Sequence, residues 1–232
     1  LEIFESFSKS VDYVSKLLSR GVELIAMIII SIIPIVNFIF LGYCSKILKE
    51  GPAKDEPPKF ENFGELFWDG LKIFVVALLW ALLAIIILVA VLVSVVPWYW
   101  IGSRLGFASL GVMPLIAIFT ALLVGICVGI FGVIGVLLAA KTGEISKGFS
   151  LQQIMTVINS VGLANHVIWV VVSAIITLIV GLLSTVPLIG WLIILVITPL
   201  LATFLARAAT LFYSDAVEKT LLPPPPPPPI TV

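Results

Sequence analysis

The sequence predicts an all-α fold: a polytopic transmembrane helical bundle of three pseudo-repeated units, each an amphipathic surface helix followed by a hairpin that turns at proline. Three observations carry this reading. Of 232 residues, 61% are hydrophobic and 11% charged, whereas about a quarter of a soluble domain is charged. Apolar runs such as 73–96 reach the ~20 residues that cross ~30 Å of hydrocarbon. One phrase occurs three times between such runs: Ser31-Ile32-Ile33-Pro34, Ser94-Val95-Val96-Pro97 and Ser184-Thr185-Val186-Pro187. Proline has no backbone N–H and disfavours helix at the residue before it, so each phrase reads as a turn.

The first unit, 1–48, opens with Phe4, Phe7, Val11, Val14 and Leu18 at steps of three and four, while Glu5, Lys9, Asp12 and Lys16 fill the other face. That spacing predicts a helix lying along a membrane surface. A hairpin turning at Pro34 follows. The second unit, 49–140, begins with a charged, proline-broken loop to Lys59. Phe60, Phe63, Phe67 and Leu71 then stand opposite Glu61, Glu65 and Asp69 as a second surface helix. Apolar sequence to Val96 meets the second phrase, where Trp98, Tyr99 and Trp100 read as an interfacial cluster. The next span is 112–140. Gly125, Gly129, Gly132 and Gly135 give it a smooth packing face, and Gly125-x-x-x-Gly129 is the pattern that lets membrane helices approach closely.

The third unit, 141–215, has a surface helix with Leu151, Ile154, Met155, Ile158 and Val161 on its apolar side, then spans 164–186 and 188–206 around Pro187. The tail, 216–232, contains seven prolines at 223–229, which read as an extended polyproline II rod, either a ligand for an aromatic-lined protein groove or a disordered end.

Three hairpins make six crossings with both termini on one side. Twelve basic residues then share that side, from Lys9 to Lys219, and only Arg104 lies opposite. The positive-inside bias therefore puts both termini in the cytoplasm, with the plasma membrane as the expected location. A five-crossing layout with Pro34 as a kink lowers the ratio to nine against four. Hairpin 1 is short, with arms of roughly 15–18 Å between Pro34 and the flanking Glu23 and Lys46 at 1.5 Å per residue. Two arrangements stay open for it. It can be re-entrant, with Ser31, Pro34 and Asn37 at a buried tip or pore lining, or it can span with Glu23 and Lys46 as an intramembrane charge pair.

The run Pro34-Ile35-Val36-Asn37-Phe38, then Pro58-Lys59-Phe60-Glu61-Asn62-Phe63-Gly64-Glu65-Leu66-Phe67-Trp68-Asp69-Gly70, together with Val186-Pro187-Leu188-Ile189-Gly190, resembles domain-of-unknown-function family 4013, prokaryotic and largely archaeal membrane proteins. The resemblance implies a fold type and a compartment. It carries over no site residues, because the family has no established activity.

Thirteen basic and thirteen acidic residues cancel, so nucleic acid is not an expected partner. Cys44 and Cys127 lack metal-ligand spacing and read as small apolar side chains. The first twenty residues mix charges of both signs, unlike a cleaved signal peptide. His166 is the single histidine, expected as an interfacial polar residue rather than a metal ligand. Asp55 with Glu56, and Asp215 with Glu218, read as solvated loop carboxylates rather than an acid–base pair. No catalytic residue, cofactor or metal is expected. The sequence points to a non-enzymatic integral membrane protein in the lipid bilayer, assembling as a homo-oligomer or with a partner membrane subunit. The alternative is a channel or transporter using the hairpin at 31–38. Against it stands the small number of polar residues within the spans; an enzyme acting on lipids comes third.

Overall fold

The computed structural model describes residues 2–104 and 112–221. Among them are eight α-helices: α1 (Ile3–Leu18), α2 (Gly21–Ile32), α3 (Asn37–Glu50), α4 (Phe63–Arg104), α5 (Val112–Thr142), α6 (Leu151–Val161), α7 (Leu163–Leu182) and α8 (Gly190–Leu221). Two short 3-10 turns, Ile145–Phe149 and Leu183–Thr185, precede α6 and follow α7. The polyproline run lies outside the described residues, as do the side chains of Trp98, Tyr99, Trp100 and Arg104.

Four helical segments are long and apolar enough to cross a membrane: Phe63–Ser94, Leu115–Thr142, Leu163–Thr185 and Gly190–Leu221. Six crossings would require α2 and α3 to span as well. With 12 and 14 residues, α2 and α3 reach only about 18 and 21 Å, short of the ~30 Å hydrocarbon layer.

One correction concerns the surface helix expected at 60–71. It is the first part of α4, which starts at Phe63 and runs without a break into the apolar run. No proline lies between Phe63 and the apolar run to stop it, and Asp69 on its polar side is ion-paired with Lys49. The helix also continues through Pro97 to Arg104, so the second phrase is not a helix end; an apolar medium tolerates a proline within a helix. Helix boundaries separate a short amphipathic helix from the following hairpin at α1–α3 and α6–α8, but not at α4–α5.

The core sits at the end of the bundle that carries the charges. Val76, Trp80, Leu138, Ile154, Trp169 and Tyr213 belong to its larger cluster, and Tyr13, Leu17, Met27, Phe40, Tyr43 and Ile47 form a second. Past Trp80, no described residue of α4 is buried, and α5 has none before Gly132. The bundle is closed at one end and splayed at the other.

Small residues set the closest approaches. On α3, a Cβ at Gly42 would overlap the Leu66 carbonyl of α4; one at Gly70 would overlap the Phe38 carbonyl of α3. In α1 the buried face is Ser6, Phe7, Ser10, Tyr13 and Leu17, while Phe4, Val11 and Leu18 are exposed. The expected apolar stripe thus shares only Phe7 with the packed face. Ser6 and Ser10 bond the carbonyls of Ile3 and Ser6, which lets α1 lie close on α8 without an unsatisfied hydroxyl.

Gly70→Val should lower stability by about 1–3 kcal/mol through overpacking of α3 on α4. Gly64→Ala should be neutral or slightly stabilising, because nothing lies within 4 Å of a Cβ there. Thermal unfolding of the purified variants in detergent checks both.

Candidate functional site

The charges of the closed end converge on the loop between α3 and α4. Gly51 ends α3 at φ +79°, a left-handed conformation that favours glycine, and its carbonyl and that of Pro52 accept from the Arg207 guanidinium of α8. Arg207 Nη1 donates to Gly51 O and Nη2 to Pro52 O, each at 3.2 Å, and Nη2 meets Asp55 Oδ1 at 2.9 Å. The guanidinium carbon stands 4.7 Å from the centre of the Tyr13 ring on α1, within reach of a cation–π attraction. Arg207 is 2% exposed, because the loop folds over it.

Two more cations pin the same loop. Lys16 Nζ donates to Asp55 O at 2.9 Å and Arg20 Nη1 to Pro57 O at 2.8 Å, with Glu56 3.4 Å from Arg20 Nη2. Asp55 and Glu56 are therefore partners of arginines from other segments. Beside them lies a pocket of about 410 Å³ lined by Lys9, Asp12, Tyr13, Lys16, Asp55 and Arg207, among others. Its charges are mixed, and each basic group already has a partner, Lys9 with Glu5 at 2.9 Å. Burial pushes the Tyr13 phenol above its ordinary value while Arg207 opposes the shift, so Tyr13 stays protonated at neutral pH.

Glu23 and Lys46 are not brought together. Glu23 Oε2 lies 3.7 Å from Arg20 Nη1, and Lys46 Nζ donates to Lys59 O at 3.4 Å. Arg20, only three residues away, is the nearer cation, and the α3–α4 loop draws Lys46 outward.

His166 is fully buried within the protein. Its Nε2 lies 2.9 Å from Ile130 O and its Nδ1 2.8 Å from the Tyr213 hydroxyl. A carbonyl can only accept, so the hydrogen is on Nε2, and Tyr213 donates to Nδ1. The neutral ring ties α5, α7 and α8 together with both nitrogens satisfied. Among the described residues, no three His, Cys, Asp or Glu side chains are placed to hold a metal.

Ser31 and Asn37 line a pocket of about 300 Å³ with Trp191 and Thr198 of α8. Pro34 is exposed in the turn between α2 and α3. Ser31 and Thr198 bond carbonyls of their own helices, at 2.8 and 2.7 Å. Of the glycine face, Gly132 and Gly135 pack on Trp80, Gly129 lies against Val170, and Gly125 meets nothing. Trp80 donates to Gly148 O at 3.2 Å. The Arg207 hub and the Gly42–Gly70 crossing are the features that sequence reasoning missed. A lone glycine among large residues, as in Leu41-Gly42-Tyr43, was the one available signal.

Four membrane-length helices and a short hairpin make this a multi-pass helical membrane protein. The family described as "Protein of unknown function (DUF4013)" matches residues 25–189, and the chain belongs to it. No curated protein and no solved structure matches the chain.

Arg207→Gln should cost roughly 2 kcal/mol or more by stripping charge-assisted bonds from buried carbonyls. Asp55→Asn should cost under about 1 kcal/mol, because the Asp55 side chain is 82% exposed. Hydrogen exchange across 51–57, faster in the first variant alone, reads the difference. In a double-mutant cycle, Tyr213→Phe and His166→Leu should each destabilise by about 1–3 kcal/mol and be far from additive, as members of one hydrogen-bonded unit.

Proposed function

We propose that the protein works by assembly rather than by catalysis, as the subunit of a homo-oligomer or of a complex with another membrane protein. The carrying observation is the splayed arm. From Ala81 on α4 and up to Phe131 on α5, the described residues show no buried side chain. Ala117, Ala121, Gly125 and Gly129 repeat at steps of four along α5. Close packing at such small residues is a main source of helix association where lipid removes the hydrophobic drive. Gly125 is open, so a helix of a second copy has room to approach.

The charge distribution supports a plasma-membrane location with both termini cytoplasmic. A hairpin that enters and leaves on its own side keeps the same twelve basic residues on the terminal side of four crossings.

A channel or transporter is the second reading, favoured by the pocket shared by Ser31, Asn37 and Thr198. A short hairpin with polar groups at its tip, set against a long helix, is a layout in which irregular backbone lines a path for solute. The apolar surroundings weigh against a continuous wet route.

Mass measurement of the full chain in lipid nanodiscs tests assembly. The expected result is a defined multimer or a retained foreign subunit, with Gly125→Leu releasing the monomer. A wild-type monomer with no partner overturns the assembly reading. Ion flux through liposomes that is lost in Asn37→Leu would replace it with the channel.

A further inference from the structure

Between α3, α4, α5, α7 and α8 the bundle leaves a cavity of about 530 Å³ lined by Leu41, Ala77, Ala81, Val128 and Ala206 with other, mostly apolar, residues. The size lies within the ~300–1,000 Å³ typical of ligand sites. A groove of about 680 Å³ along α7 adjoins it, and Val133, Trp169 and Ser173 line both. Leu178 and Leu182 carry the groove along α7, a helix that crosses the membrane with little of its surface covered by protein. The cavity therefore communicates sideways with the lipid.

Trp169 and Ser173 are also where polar satisfaction fails. Trp169 is 3% exposed, yet among the described residues its indole nitrogen has no hydrogen-bond partner, and neither has the buried Ser173 hydroxyl. Of the other polar groups in the spans, the buried Thr203 hydroxyl is likewise without a partner among the described residues, but it does not line this cavity. Thr120, Thr177 and Thr198 each bond the carbonyl four residues back, and the Trp80 indole has Gly148. Two adjacent donors without an acceptor, both on residues lining an apolar cavity, specify an occupant that is mostly hydrocarbon and carries an accepting oxygen. A single water bridging the two donors would satisfy them but leave most of the apolar cavity of about 530 Å³ empty. An empty space would forfeit the packing of its lining.

We propose that one chain of a membrane lipid enters along the α5–α7 groove and fills this cavity, with an oxygen of the lipid backbone accepting from Trp169 Nε1–H and from the Ser173 hydroxyl. The depth agrees. Trp169 is about 9 Å along α7 from its start at 1.5 Å per residue, close to the level where the headgroup zone, roughly 5–8 Å on each side, gives way to chains.

The test uses the full chain in nanodiscs of dioleoylphosphatidylcholine or of its analogue brominated on the acyl chains. Trp169 emission is taken as the difference between wild type and Trp169→Phe. Bromine on the lipid chains should at least halve it. Ala77→Phe, which fills the cavity from α4, should restore the emission with helix content unchanged by circular dichroism; Ala77→Ser should leave quenching intact. Ala81→Phe repeats the test if Ala77→Phe does not fold. Native mass spectrometry after release into detergent should find one phosphatidylcholine held per chain. The proposal is overturned by unquenched emission, by equal quenching in wild type and the cavity-filled variant, or by retention of no lipid or of a molecule other than the nanodisc lipid.

Discussion

A guanidinium cannot be left bare where α8 emerges from the apolar layer, and how Arg207 is satisfied determines the positions of three other segments. Only Nε finds no acceptor among the described residues; the desolvation of the rest of the guanidinium is offset by acceptors close by. Here they are two carbonyls and a carboxylate from the loop after α3, with the face of Tyr13 stacked against the charge. The loop must therefore fold back over α8, which fixes where α3 ends. Tyr13 must face inward, which fixes the rotation of α1. Lys16 and Arg20 then fall against the far side of the loop and bond its remaining carbonyls.

The contrast between the two ends of the bundle follows from that constraint together with the composition of the helices. At the charged end, hydrogen bonds, ion pairs and ring stacking hold helices at defined distances: Phe7 stacks on Trp169 and Phe204, and Trp80 on Phe131 and Phe149. Away from it, helix surfaces are Leu, Ile and Val with small residues between. Such surfaces gain little by leaving lipid for one another. Among the described residues nothing draws α4 and α5 onto α7 and α8 there, which accounts for both the free arm and the cavity.

Helix existence was legible from periodicity. The steps of three and four that predict a helix from Phe4 to Leu18 correspond to α1, and those from Leu151 to Val161 to α6. Which face packs was not legible, because in a membrane protein an apolar side chain is as well placed in lipid as in the core. Phe4, Val11 and Leu18 are exposed while Ser6 and Ser10 are buried, so smallness marked the contact better than apolarity did. Likewise Gly42 and Gly70 mark the α3–α4 crossing, whereas a Cβ at Gly125, in the most conspicuous glycine motif, would meet nothing among the described residues. The Arg207 hub was out of reach for another reason: its partners lie more than 150 residues away in sequence, and no periodic signal spans a loop. The merging of the second surface helix with α4 was similarly hidden, since amphipathic sequence reads the same whether or not the helix continues into the membrane.

The packing of α1 against α8 joins the first helix of this chain to the last. During synthesis, α1 leaves the ribosome when every surface it will rest on has still to be translated. Its inward face, with Phe7, Tyr13 and Leu17, has to wait through the insertion of four spans, resting at the membrane surface or in the care of a chaperone. Arg207 reaches the loop and Tyr13 only when the final helix arrives. The closed end is thus assembled in one late step, and a nascent chain stalled before α8 lacks not just one helix but the clasp for all the others.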